Sequence, residues 1–486
     1  RGGPAAPSGP RASRPSPPRG ERKEAGRYIQ WAIGRAVRRS RAADTTIYGF
    51  VREALLGRAP SASTPALRAR TRRFARRFQQ FTSPVAAKGV EDTALYRFNR
   101  LVSLNEVGSE PDSFGISVKA FHAANADRAA NWPHTMLATS THDNKRSGDV
   151  RARIDVLSEM PAAWRLLLRR WRLMNRSRRS TVGGDPAPSR NDEYLLYQTL
   201  LGSFQDESEG GDPARALAVY AERIERYMLK AARESRARTS WISPDPAYES
   251  ALAGFVRGVL APSASNPFLD DLREQMRSIA WFGALNSLAM VTLKYTVPGV
   301  PDLYQGNECF DFSLVDPDNR RPVDFERRSA MLESIERRVH DEGVCAVAAS
   351  LSRDPRADAA KMFVTWRLLQ MRRARAALFR DGDYLPLEVT GAAAPHLVAY
   401  ARRDDASVVV VLVSRLFAKL LGTPGRLPEG KGVWQDTVAD LGATGISGDL
   451  VDQLTGRTVT VSQGTLDAGT ALSGFPAAVL LGARPG

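Results

Sequence analysis

HTMLATSTHDNKRSGDVRARI, residues 134–154, is the stretch on which the reading of the fold turns. Met136 to Ala138 is a short apolar run suited to a buried strand, and it ends in Thr139, Ser140, Thr141, His142, Asp143, Asn144 and Lys145. In a barrel of parallel strands, catalytic groups sit just past a strand's C-terminal end. A His-Asp pair at that place reads equally well as a helix N-cap with its neighbour, because a short carboxylate satisfies the orphan N–H groups of a first turn.

Working outward, TVPGVPDLYQGNE (296–308) repeats the step: a helix, a Pro-Gly-Val-Pro turn, a short apolar strand and a glycine-bearing loop. SLVDPDNRRPVDF (313–325) then reads as a scaffold loop fixed by Asx turns and Arg–carboxylate pairing. On the other side, PVAAKGVEDTALYRFNRLVSLNEVG (84–108) interleaves Lys88, Glu91, Asp92, Tyr96, Arg97, Asn99 and Arg100. That mixture suits a hydroxyl-rich ligand, or else a solvated surface helix. In RTSWISPDPAYE (238–249), Trp241 and Tyr248 could stack on a sugar, but packing is the expectation.

Apolar recurrences at three and four predict helices over 163–174, 193–204, 214–234 and 248–260. Leu272, Met276, Ile279, Gly283 and Met290 extend the pattern into a long, weakly polar helix that should be buried. Residues 180–190 interrupt the run with Gly, Pro and Ser. Earlier, Trp31, Ile33, Ala36 and Val37, then Ile47, Phe50, Val51 and Leu55, are candidates for a buried face, and 68–81 reads as a basic helix. A helix over 363–379 leads into strand-like runs at 396–402, 407–413, 457–461 and 477–481, which predict a small antiparallel β domain. Residues 1–27, rich in Pro, Gly and Ser, cannot build a core and are expected to be disordered.

The 486 residues carry a net charge of +16, but the arginines are scattered among acids and no RNA-binding signature accompanies them, which argues against nucleic acid. Cys309 and Cys345 have no CxxC partner, so neither a zinc site nor a disulfide framework is expected. No apolar run approaches the roughly 18 residues of a membrane helix, and no hydrophobic leader opens the sequence. A cytoplasmic protein is the expectation.

The strings KGVEDTALYRFNRLVSLNEVG, STHDNKRS, NDEYLLYQTLLGSF, TSWISPDPAYE, PGVPDLYQGNE and SLVDPDNRRPVD resemble, in this order, successive signature segments of the maltooligosyltrehalose synthases of the alpha-amylase superfamily. The resemblance covers roughly Tyr28 to the C-terminus, and GDYLPL (382–387) and LTGRTV (454–459) are similar to the family's C-terminal domain. It implies an α/β fold: a partial (β/α)8 barrel of the alpha-amylase type with large helical insertions, plus a C-terminal antiparallel β domain. The implied domains are a disordered 1–27, barrel with insertions over 28–335, and connecting helices with the β domain over 336–486.

The activity implied is that of a (1→4)-α-D-glucan 1-α-D-glucosylmutase. The reducing-end α-1,4 linkage of a malto-oligosaccharide or linear glucan becomes α,α-1,1 by a retaining, two-carboxylate mechanism. Amylase-type hydrolysis or transfer, and a non-catalytic glucan-binding fragment, are the alternatives. Asp143 matches the family's transition-state stabiliser and His142 its neighbour; Lys145 and Lys88 match lysines near the reducing-end glucose. Asn144, Gly148 and Ala86 stand where the family carries Thr, Glu and Met. No segment of the chain supplies the nucleophile or the acid/base, so a truncated synthase, inactive alone, is expected. No cofactor and no metal are expected. The pathway partner implied is maltooligosyltrehalose trehalohydrolase, without a physical complex.

Overall fold

The structure is a computed structural model that describes residues 19–58, 63–205, 212–262 and 266–483. It divides into two compact units, one ending at Val90 and one beginning at Glu91.

The first unit holds α1 (Arg19–Arg39), α2 (Thr46–Leu55) and α3 (Pro65–Val90). Of the stretch expected to be disordered, residues 1–18 lie outside the described residues, while α1 already begins at Arg19. The reason is local: the prolines of the opening stop at Pro18, and Arg, Glu, Lys and Ala then favour helix. The expected buried face is corrected too. Trp31 is 53% exposed, Ile47 58% and Phe50 51%. Phe74 lies 5.9 Å from both Phe50 and Phe78, a small cluster rather than a core.

The second unit begins with α4 (Val118–Asn131), β1 (Met136–Leu137), α5 (Gly148–Asp155) and α6 (Pro161–Met174). The expected interruption is a hairpin, β2 (Ser180–Val182) and β3 (Asp185–Ala187). Four helices follow: α7 (Arg190–Ser203), α8 (Pro213–Ser235), α9 (Pro246–Val259) and α10 (Pro267–Thr296). Their starts are written locally. Ser189, Asp212 and Asp245 cap α7, α8 and α9 by side-chain acceptance, and Pro opens α6, α8, α9 and α10. The long α10 is buried along most of its second half, whose residues are apolar nearly all round, while Asp270, Glu274 and Arg277 of the first half face out.

β4 (Val300–Pro301) pairs parallel with β1, Met136 opposite Val300 and Leu137 opposite Pro301. Gly299, at φ +124°, makes that approach possible, since a Cβ there would lie 2.8 Å from Leu137 and 2.9 Å from the Thr135 carbonyl. The loop at 316–321 is the scaffold expected: Asp318 accepts from Leu314 N and from Arg223, and Arg320 pairs with Asp316 at 2.7 Å.

After α11 (Phe325–Glu342) and α12 (Val344–Leu351), the helix expected over 363–379 is two: α13 (Asp358–Ala374) and α14 (Ala376–Asp381). Arg375, at ψ 43°, leaves helical geometry between them. The strands are β5 (Asp383–Pro386), β6 (Val389–Thr390), β7 (Leu397–Arg403), β8 (Ser407–Ser414), β9 (Val438–Asp440), β10 (Gly448–Asp452), β11 (Thr458–Val461), β12 (Thr465–Asp467) and β13 (Ala477–Ala483). Six form an antiparallel sheet in the order β11-β10-β13-β8-β7-β5, and β12-β9-β6 form a second.

Both faces of β8 are covered, which is why its run is apolar throughout. Val409, Val411 and Val413 join the core of the helical region, while Val408, Val410 and Leu412 join a second core between the sheets. The first core runs unbroken from Tyr96 to Val479, across the 335/336 boundary that the resemblance implies. Buried Arg402 on β7 is satisfied by carbonyls of Asp383, Thr296, Leu378, Phe379 and Gly382.

Candidate functional site

The candidate site is the loop from Thr139 to Ser147, which joins β1 to α5. Its two ends are tied down. Ser147 caps α5, accepting from Val150 N at 3.3 Å, while its own N–H donates to Ser313 O at 3.0 Å. Gly148 N donates to Ser140 Oγ at 2.9 Å, and Arg151 reaches back to the Thr139 carbonyl. Lys294 of α10 holds the loop's first residue from below, its Nζ 3.4 Å from Thr139 Oγ1.

The middle of the loop is clamped by a buried carboxylate. Glu106 accepts Lys145 N at 2.9 and 3.1 Å, Arg146 N at 3.4 Å and its neighbour Val107 N at 2.8 Å. Lys145 is 6% exposed; its Nζ pairs with Asp92 at 2.7 Å and lies 5.5 Å over the Tyr96 ring. Arg146 is also buried, bonded to Tyr227 Oη at 2.6 Å. From the other side Asn319 Nδ2 donates to the His142 carbonyl at 2.9 Å. Within the loop, Thr141 N donates to Asn144 Oδ1, and Asp143 N to Thr141 Oγ1 at 3.2 Å.

The tip is different. His142 and Asp143 are exposed, and among the described residues neither side chain makes a hydrogen bond or ion pair. That separates the two readings of the pair: the cap of α5 is Ser147, so Asp143 is not spent on capping. A rigid backbone thus presents a carboxylate and an imidazole just beyond the C-terminal end of a parallel strand.

Two protein comparisons bear on what such a loop serves. Two curated Mycobacterium tuberculosis proteins named as maltooligosyl trehalose synthases are 36% identical to this chain over 372 residues, 76% of it and 43% of them. The maltooligosyltrehalose synthase structure from Arthrobacter ramosus matches with a TM-score of 0.72 at 33% identity, over 94% of this chain and 51% of that one. A Sulfolobus tokodaii structure described as a hypothetical maltooligosyl trehalose synthase matches at 0.61 and 26% identity, over 95% and 55%. The chain is a homologue of the maltooligosyltrehalose synthases. It spans about half the length of these relatives. No protein-family model matches it.

Of the residues that the synthase resemblance singled out, Asp143, His142 and Lys145 share this loop, and Lys88 stands in the last turn of α3, in the first unit. Sequence reasoning missed Glu106 and Asn319 as the loop's supports, although both lie inside quoted synthase-like segments. Trp241, expected to pack, is 54% exposed with Arg233 4.8 Å from its ring, whereas Tyr248 is buried and bonded to Asp192 and Ser189 N. Cys309 is buried and Cys345 exposed, both unpaired. Among the described residues no His, Cys, Asp and Glu cluster could hold a metal, and no helix is long and apolar enough to cross a membrane.

Glu106→Gln tests the clamp. The amide keeps one acceptor but turns an NH2 toward backbone N–H groups, so a loss of about 1–3 kcal/mol is expected in urea unfolding. Hydrogen exchange at Lys145 N and Arg146 N should quicken with it. Unchanged exchange at both would remove Glu106 from this role.

Proposed function

We propose that the chain supplies the transition-state-stabilising part of a maltooligosyltrehalose synthase. In the whole protein the reducing-end α-1,4 linkage of a malto-oligosaccharide or linear α-1,4-glucan would be converted to α,α-1,1 by intramolecular transglucosylation. The observation that carries this reading is the Asp143 carboxylate, without a partner among the described residues, on a clamped loop past the end of β1.

In the proposed mechanism Asp143 accepts hydrogen bonds from the 2- and 3-hydroxyls of the reacting sugar. These bonds strengthen as the ring flattens toward an oxocarbenium ion, and contacts stronger in the transition state lower the barrier. His142 stands beside it. Lys145, oriented by Asp92, holds the leaving glucose so that its anomeric hydroxyl, not water, attacks the glycosyl-enzyme; the family resemblance gives Lys88 a like role. Within this reading β1 and β4 are the last strands of a (β/α)8 barrel that spans 28–335 with its helical insertions, and 336–486 carry connecting helices and the β domain. The nucleophile and the acid belong to the portion of the family's architecture that this chain does not span. The product would be the substrate of a maltooligosyltrehalose trehalohydrolase, and the cytoplasm is the expected compartment.

The test uses maltopentaose. The chain alone should form no maltooligosyltrehalose. A hybrid in which it replaces the matching part of the Arthrobacter ramosus enzyme should form trehalose ends. Turnover by the chain alone would mean that both carboxylates are present in this sequence. A hybrid that only released maltose and glucose would favour the amylase reading.

A further inference from the structure

Arg153, in the last turn of α5, is 8% exposed, and among the described residues no carboxylate lies within 4 Å of its guanidinium. The carboxylate one turn back, Asp149, is paired with Lys361 at 2.7 Å. Two contacts fix the plane of the group. Its Cζ lies 3.5 Å from the centre of the Phe312 ring, and Nη1 donates to the Phe204 carbonyl at 2.8 Å. The other edge, Nε and Nη2, makes no hydrogen bond among the described residues, and both atoms keep accessible surface. A buried cation with two open donors is costly, and it calls for a counter-ion that the described residues do not supply.

Arg153 lines a cleft of about 680 Å³, the size of a small-molecule site, walled by α10, α11, residues 310–312 and the turn ahead of α13. No part of this wall belongs to β1 or β4, the two strands that pair only with each other. Arg273, Arg277, Arg327 and Arg356 also line it, against Asp354 and Asp358. These four arginines sit at the rim and pair there. Arg356 meets Asp354 at 2.7 Å, Arg327 meets Asp358 at 3.1 Å, Arg277 meets Glu274 at 3.1 Å and Arg273 meets Asp270 at 3.7 Å. Water screens such pairs. Arg153 is the buried one of the five. Desolvation pushes its pKa down to about 9, with Arg356 adding to the fall while Asp149 and Tyr220 oppose it.

We propose that the cleft binds a phosphomonoester, its phosphate held by the Nε and Nη2 edge of Arg153 with the guanidinium of Arg356 beside it. Two parallel N–H donors in a plane fixed by stacking match two oxygens of one phosphate, a fit that a lysine ammonium does not offer. The second cation favours a doubly charged group over a carboxylate. Met276, Met331 and Phe310 give the organic part of the ester an apolar wall. The inference is independent of Asp143 and of the glucan reading.

Phenyl phosphate is the probe, titrated calorimetrically into the intact chain at pH 7.5 and low salt. One molecule per chain should bind with a Kd below about 1 mM. Benzoate, with the same ring and a single charge, should bind at least about tenfold more weakly. Arg153→Lys keeps the charge but loses the fork, and should weaken phenyl phosphate at least about tenfold. Arg356→Gln, at an exposed position that the fold does not need, should weaken it several-fold. Absence of saturable binding, equal affinity for benzoate, or unchanged affinity in both variants would overturn the proposal. So would binding that appears only after Asp206, Glu207 and Glu209, next in sequence to Gln205 of the cleft, are changed to their amides. The chain's own acids would then answer the cleft's charge.

The hybrid with the Arthrobacter ramosus enzyme extends the test to a full-length chain. Phenyl phosphate should bind it with a similar Kd. Loss of binding there would show the cleft to be closed in the whole protein, and would also overturn the proposal.

Discussion

Asp143→Asn, introduced into the hybrid with the Arthrobacter ramosus enzyme, is expected to lower kcat by roughly a hundredfold or more, with a much smaller change in KM. The amide keeps the shape of the side chain but loses the charge that the flattening sugar ring rewards. Because the carboxylate has no partner among the described residues, the variant should melt with the parent protein. Lys145→Ala and Lys88→Ala should separate from it by phenotype. They would loosen the leaving glucose and raise the share released by hydrolysis, and Lys145→Ala should also destabilise, since it removes the buried ammonium 2.7 Å from Asp92. If Asp143→Asn left kcat intact, the assignment of this loop to the reaction would have to be withdrawn.

Lys361→Met is expected to cost about 3–5 kcal/mol in urea unfolding, the largest stability effect anticipated outside the hydrophobic core. Its Nζ meets Asp149 Oδ2 at 2.7 Å and the Cys309 carbonyl at 2.9 Å, with side chains 3% and 1% exposed. The same carboxylate oxygen accepts Asp311 N at 2.8 Å. The pair thus ties the first turn of α5, immediately after the candidate loop, to α13 and to the segment after β4. Removing the cation leaves a buried carboxylate without its hydrogen-bonded counter-charge. Adding Asp149→Leu should then recover part of the loss, because a buried pair replaced by apolar groups can be nearly neutral whereas half a pair is not. A cost below about 1 kcal/mol for Lys361→Met would show that water reaches Asp149 and that the tie is weak.

Much of the architecture is legible along the chain because its signals are local. The expected helices over 163–174, 193–204, 214–234 and 248–260 appear as α6, α7, α8 and α9 with ends moved by a few residues, each set by a nearby Ser, Asp or Pro. The strands at 397–403, 407–414, 458–461 and 477–483 are likewise read from β-branched runs between turns. The strands at 383–386, 389–390, 438–440, 448–452 and 465–467 escaped, since such short or broken runs hold too little pattern, and pairing with neighbouring strands is what defines them. The apolar residues of the N-terminal helices misled for a related reason. Periodicity marks a face, but only packing decides whether anything covers it.

The sequence by itself determined the kinship with the synthases, most of the helices of the second unit and the candidate loop, because capping, periodicity and collinear segments are properties of neighbours along the chain. Only the tertiary structure decided what those residues do in the fold. It made Ser147, not Asp143, the cap of α5, and it set Glu106 against Lys145 N from 39 residues away and Lys361 against Asp149 from 212 residues away. Buried charges and backbone N–H groups must find partners wherever the folded chain brings them, and that pairing is a property of space rather than of spacing.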